Sequence, residues 1–376
     1  MNPRPLRAVL ALTTSLALAS CASDGLDLQQ WPEQPEPNLA LPNGATIIPA
    51  GEGSGEDEDV EDSEEPFGSL RPDRNPDTGE EVSPNRRVPD IVERGRLVVG
   101  VAQSLNRLGF RDPVTKDMAG FEVDLAKEIA RDIFGDPDRI EFRFVEGTGR
   151  ENALAEGTVD LVLRTMTVTR DRQTEVDFSV PYLTTYPRIL AMQNSGIQSE
   201  SDLADKTVCV TEDSTNLIEL QRTDNHGDIL TTQTWSDCLL AMQRQQADAI
   251  YSDSAILSGL QAQDPYTEIV GDSTDASQYA VAAALPQQRD TSSLVRQVNS
   301  TMERIRSDGT WNRLYAKWMK DYLDDGVPPE AKYRTAADAR ELAVLRREAL
   351  QDAADAAAEE EAGTETEPAE EADDEQ

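Results

Sequence analysis

One histidine, His226, and three cysteines, Cys21, Cys209 and Cys238, limit the chemistry this chain can perform. A Ser/His/Asp relay or a multi-histidine metal site has almost nothing to be built from. The stretch GEGSGE at 51–56 looks like a phosphate loop, yet it lacks the Gly-Lys-Ser/Thr ending and a preceding apolar strand. The groups with useful chemistry are hydroxyls, guanidiniums and carboxylates in three short stretches. These are Thr165-Met166-Thr167-Val168-Thr169-Arg170-Asp171-Arg172, Thr211-Glu212-Asp213-Ser214-Thr215-Asn216 and Tyr251-Ser252-Asp253. A guanidinium meets a carboxylate with two parallel bonds, and the start of a helix offers N–H groups to an anion. Such groups grip a small ion without breaking a bond in it.

The elements that must position these groups occupy only part of the 376 residues. Residues 1–20 carry Arg4 and Arg7 and then an apolar run from Leu6 to Ala19, too short to span a bilayer and right for a signal peptide. The run ends in Leu18-Ala19-Ser20-Cys21, which resembles the bacterial lipobox, so Cys21 is expected to carry diacylglycerol and a further acyl chain such as palmitate. Two or three acyl chains, at about 0.8 kcal/mol per buried CH₂, hold a protein on a membrane essentially irreversibly. The expected location is extracytoplasmic, anchored to the cell membrane through Cys21. In that compartment the remaining pair, Cys209 and Cys238, is most simply a disulfide. It would contribute about 3.6 kcal/mol in the chain-entropy model.

Net charge is −37, from 72 acids against 35 bases. Its distribution matters more than its size. Residues 22–85 are Pro-, Gly-, Ser- and acid-rich with a net of −15, and 21–85 is read as a disordered acidic linker. Residues 336–376 have a net of −12 and are read as an acidic tail, helical in its first part, where Leu342, Leu345 and Ala349 share helical spacing. The region between them holds only −12. Charge beyond about 8 Å is screened at physiological ionic strength, so recognition must be local. An acidic chain of this kind is no partner for nucleic acid.

Between 86 and 335, short β-rich runs alternate with amphipathic stretches, the pattern of an α/β protein. GRLVVGVA reads as a buried strand. The following GFEVDLAKEIARDIFG places Phe121, Val123, Leu125, Ile129 and Ile133 along one helical face. IEFRFVE and VDLVLR read as strands around the short helix ENALAEG. A second set runs RILAMQ, SESDLAD, KTVCVT, SDCLLAMQRQQ and ADAIYSD, and the chain returns through YAVAAAL to two final helices.

Taken in order, GFEVDLAKEIA, VDLVLRTMTVTRDRQTEVDFSVPY, DLADKTVCV, QADAIYSDSAIL and SDGTWNRLYAKW resemble the family 3 extracellular solute-binding proteins of polar amino-acid ABC importers, and among them the actinobacterial glutamate- and glutamine-binding lipoproteins. The resemblance implies a two-lobed, type II periplasmic-binding-protein-like fold, with two Rossmann-like lobes joined by two hinge strands. Lobe 1 is expected over 86–187 and 285–330 and lobe 2 over 188–284, with hinges near Tyr186 to Ile189 and Tyr279 to Ala284. It further implies that Arg172 forks the ligand's α-carboxylate, that Thr167 and the backbone of Thr165 assist, that Thr215 and Asn216 approach from the second lobe, and that Asp253 pairs with the α-ammonium. Departures limit the transfer. Leu105 and Gly147 stand where relatives place an aromatic wall, Ala102 where they place a side-chain reader, and Glu212 and Asp213 bring acids beside an anion site. Arg107 and Arg164 have no counter-charge in the sequence and are expected near the cleft. A buried arginine needs an anion, so glutamate or aspartate is expected over glutamine.

The resulting expectation is a monomeric, membrane-tethered receptor without cofactor or metal, which captures a polar amino acid and delivers it to the permease subunits of an ABC importer. An amino-acid sensor that presents its closed state to a membrane signalling partner is the alternative. Enzymatic use of the scaffold would need an acid/base within about 3 Å of the ligand, with only Glu212, Asp213 and Asp253 to nominate.

Overall fold

Aliphatic runs buried on both faces form the centres of two sheets. Leu97–Val101 is buried along its whole length, as are Val208–Thr211 and Ala249–Asp253, as expected for parallel strands covered on both sides. The computed structural model describes residues 40–51, 65–223, 225–272, 275–323 and 326–364, with side chains to 355. Cys21 and most of the expected linker lie outside them. From Leu41 onward the described residues belong to one compact unit.

The sheet of lobe 1 has the order Ile140–Phe144, Leu97–Val101, Leu161–Leu163, Ala282–Ala284, Val176–Phe178. Its first three strands run parallel, and Ala282–Ala284 enters antiparallel to both neighbours. Phe121–Phe134 packs its buried face on this sheet together with Ser292–Ser307 and Thr310–Trp318. Gly120 allows the first of these helices to start directly under Leu108, where a Cβ would stand 2.0 Å from the carbonyl oxygen. The sheet of lobe 2 has the order Thr46–Ile48, Ile229–Thr232, Val208–Thr211, Ala249–Asp253, Pro187–Met192, Thr267–Val270. Within lobe 2, Cys209 and Cys238 are bonded, with Cα atoms 5.5 Å apart.

Three placements differ from the sequence reading. The lobes are joined by the antiparallel pair Leu183–Thr185 and Ser277–Tyr279, a few residues before the expected hinges. YAVAAAL is therefore not one strand: Tyr279 ends the crossing pair, and Ala282–Ala284 belongs to the lobe 1 sheet. The described parts of 21–85 are not linker. Thr46–Ile48 adds an antiparallel edge strand to lobe 2, Phe67 and Ser69 are buried, and Pro84–Arg87 is already helical. Composition hid these contacts because a few buried residues suffice to order a polar segment that docks on a preformed surface. Finally, Ala336–Thr364 is one helix, and its first turns dock on lobe 1 through Leu342 and Arg346, which are 1% and 5% exposed.

Replacing both Cys209 and Cys238 by alanine is expected to cost about 2–4 kcal/mol, measured as a lower urea midpoint. An unchanged midpoint would show that the bridge adds nothing beyond the packing around it.

Candidate functional site

Between the lobes lies a cleft of about 540 Å³ of atom-free space, part of it open to solvent. Three arginines, Arg150, Arg164 and Arg172, reach it from lobe 1, and three acids, Glu212, Asp213 and Asp253, from lobe 2. Leu105, Gly147, Thr165, Thr167, Thr215 and Asn216 also line it, as do Gln233 and Trp235.

Arg172 sits on the six-residue helix Arg170–Glu175, whose N-cap Thr169 accepts a hydrogen bond from the Arg172 backbone. Its guanidinium donates to the Thr167 carbonyl at 3.2 Å and, across the cleft, to the Asp213 carbonyl at 2.8 Å. Burial and then the neighbouring charge of Arg150 lower its pKa. Thr165 lies in the left-handed region at φ 44°, an unusual conformation for a β-branched residue. Glu122, fully buried behind it, holds the turn: its Oε1 accepts from the Thr165 N–H at 2.6 Å and from the Tyr182 hydroxyl. Burial raises the Glu122 pKa, against those two hydrogen bonds. Nothing in the helical pattern of GFEVDLAKEIA distinguished Glu122 from a solvent-facing acid.

Arg164 makes no hydrogen bond or ion pair among the described residues, and its Nε is buried without a partner. Burial, reinforced by Arg150, lowers its pKa to about 10. Arg150, missed in the sequence, is 4% exposed. It pairs with Asp213 Oδ2 at 2.7 Å while its own Nε stays unpartnered. The sequence signal was a lone arginine at the head of ENALAEG, where a helix start normally favours acids.

Asp253 closes the cleft from lobe 2 at the end of its strand and is 2% exposed. Its Oδ2 accepts from the Tyr279 hydroxyl at 2.5 Å, and its Oδ1 is buried without a partner. Burial pushes its pKa up to about 6, opposed mainly by the Tyr279 hydrogen bond. Asp213 turns toward Arg150, with φ 55°, and Glu212 lines the cleft wall. Leu105 and Gly147 bring no ring to the cleft, and the aromatic side chain that lines it among the described residues is Trp235 of lobe 2.

Arg107 does not reach the cleft, which corrects the sequence reading. Its guanidinium lies 4.0 Å over the Tyr322 ring, donates to the Trp318 carbonyl at 2.6 Å and approaches Asp321. A cation is favourable at that helix C-terminus, and its partners are more than two hundred residues away in the chain.

The geometry is that of two lobes in contact around a charged gap. Residues 97–321 match the model of the bacterial extracellular solute-binding proteins, family 3. The chain belongs to that family. It is 28% identical over 232 residues to the ABC transporter glutamine-binding protein GlnH of Bacillus subtilis, covering 61% of this chain and 84% of that one. It is 26% identical over 269 residues to the glutamate-binding protein GluB of Corynebacterium glutamicum, covering 65% and 87%. Among solved structures it resembles an ancestral arginine-binding protein bound to glutamine, with 30% identity and a TM-score of 0.55 over 60% of this chain and 98% of that one. The fold is accordingly the two-lobed type II periplasmic-binding-protein architecture.

The Asn106 carbonyl oxygen of lobe 1 meets Gly259 of lobe 2 so closely that a Cβ there would stand 2.3 Å away. Gly259→Val is therefore expected to hold the lobes apart. Asp213→Ala removes the Arg150 pair, worth about 1 kcal/mol because the carboxylate is 40% exposed, or about a fivefold change in the closed-to-open ratio. Small-angle scattering of the ligand-free protein should show a larger radius of gyration for both variants. Unchanged scattering would mean these contacts do not hold the lobes together.

Proposed function

We propose that this protein captures a free polar amino acid outside the cytoplasm and delivers it to an ABC importer, tethered to the cell membrane by a lipidated Cys21. The observation that carries the reading is a pair of complementary groups on opposite lobes of one cleft, the Arg172 guanidinium and the buried Asp253 carboxylate with its unpartnered Oδ1. An α-amino acid has the matching charges at one carbon. Arg172 and the Thr165–Thr167 turn take the carboxylate, with Thr215 and Asn216 closing on it from lobe 2. Asp253 takes the ammonium. A ligand that touches both lobes binds the closed form better than the open one, and that difference drives closure.

Arg164 supports an acidic side chain, glutamate or aspartate, over an amide. Its buried Nε has no partner and Arg150 stands beside it, so a second carboxylate would relieve two like charges at once. The relatives GlnH and GluB are named for glutamine and glutamate binding. Isothermal titration of the protein with the twenty amino acids tests it. Tightest binding of glutamine, or of any other amino acid that is not acidic, would overturn the acidic preference, and no binding of any would overturn amino-acid capture.

Arg172→Ala should weaken every α-amino acid by roughly 2 to 5 kcal/mol, because the carboxylate loses a desolvated charged partner; near-native binding would refute its role. Arg164→Ala should weaken glutamate more than glutamine, and equal losses would make it structural.

Asp253 gives a pH dependence of definite sign. Its carboxylate must be ionised to meet the ammonium, and burial holds its pKa at about 6 in the ligand-free protein. Affinity should therefore fall as pH drops below about 6, by up to tenfold per unit. In the ligand-free protein the same raised pKa works the other way: its stabilising share is full below the unfolded value and lost as pH rises through about 6. Titrations at pH 7.5 and 5 should show the fall in the native protein and a flat profile in Asp253→Asn; the same slope in both would assign the titration elsewhere.

A further inference from the structure

The helix that carries Arg172 has six residues, too few to be stable alone, so its direction is set by what packs on it. Much of that packing comes from outside the family domain of residues 97–321. Gln173, 2% exposed, exchanges two hydrogen bonds with the backbone of Phe67, at 3.0 and 2.9 Å. Arg170 lies 4.1 Å over the Phe67 ring and pairs with Glu341 at 3.0 Å. Arg346, from the docked turns of the C-terminal helix, donates to the Gln173 carbonyl at 2.8 Å and to the Val176 carbonyl at 3.2 Å. Asp177, 1% exposed, accepts from Arg346 at 3.3 Å and from Arg334 at 2.5 Å.

These contacts have a common consequence. A short helix held at its side chains by Phe67 and at its last carbonyls by Arg346 has little freedom to rotate or slide. Arg172, on the same helix, reaches into the cleft. A two-pronged grip on a carboxylate tolerates displacements of only about 0.5 Å, so anything that fixes the helix fixes the grip.

We propose that the segments 65–69 and 332–346 form a brace that positions Arg172 and thereby sets the ligand affinity of the cleft, with Gln173 and Arg346 as its positioning residues. The inference rests on the reading of Arg172 as the carboxylate grip. It makes affinity a property of the flanking segments as well as of the binding domain.

The test is a double-mutant cycle on the full chain, titrated with L-glutamate. Arg346→Ala is a mild variant, because Arg334 still satisfies Asp177 and no buried carboxylate is left alone. It is expected to raise Kd about tenfold, with faster hydrogen exchange of the Arg170–Glu175 amides. Gln173→Leu should act in the same direction. In an Arg172→Ala background, Arg346→Ala should change Kd by less than about twofold, since the group it positions is gone. An unchanged Kd in Arg346→Ala overturns the brace, whatever the exchange shows, and so does a full tenfold loss in the Arg172→Ala background, which would mark general destabilisation. If Arg172→Ala alone binds like the native protein, the grip reading falls and takes the brace with it. A weak Arg172→Ala beside an unaffected Arg346→Ala would sink the brace alone.

Discussion

Arg172 and Asp253 face one gap from opposite lobes, with the carboxylate almost fully buried and one of its oxygens unpartnered. Buried charges are costly unless paired, and here the fold keeps them apart. Asp253 is fixed at the end of a central strand by the Tyr279 hydroxyl, which itself comes from the lobe crossing. Arg172 is fixed by the Thr167 carbonyl on its own lobe and meets only a carbonyl of the other. On the proposed reading a bound zwitterion would relieve both costs together, so that closure and recognition would be one event.

The other charges of the cleft fit around that pair. Asp213 neutralises Arg150 across the gap, whereas Arg164 is left with compensation from Glu122, Glu146 and Asp213 and no direct partner among the described residues. Lobe 1 therefore presents more positive charge than lobe 2 cancels at close range. The strained turn at Thr165 is the backbone counterpart: its N–H is accepted by the buried Glu122 carboxyl beneath it.

Periodicity made the centre of the fold legible. Leu97–Val101, Val208–Thr211 and Ala249–Asp253 are apolar runs that fit only covered strands, and Phe121–Phe134 repeats apolar residues at helical spacing. The Thr-rich stretch ending in Arg172, and Asp253 at a strand end, were readable because strand-to-helix turns are where such folds present side chains. What escaped had no local signal. Arg107 is consumed by Trp318 and Tyr322, Arg150 finds Asp213 from another lobe, and Glu122 is buried because Tyr182 and Thr165 meet it; in each case long-range packing decides. The ordered parts of 40–85 were hidden for the same reason, since Thr46–Ile48 and Phe67 take their structure from surfaces formed by the rest of the chain.

The most direct test is a crystal structure of the protein with L-glutamate bound. It should show the α-carboxylate on both prongs of Arg172 and the α-ammonium within about 3 Å of Asp253 Oδ1. A ligand lying elsewhere, or one whose ammonium and carboxylate meet neither group, would contradict the account.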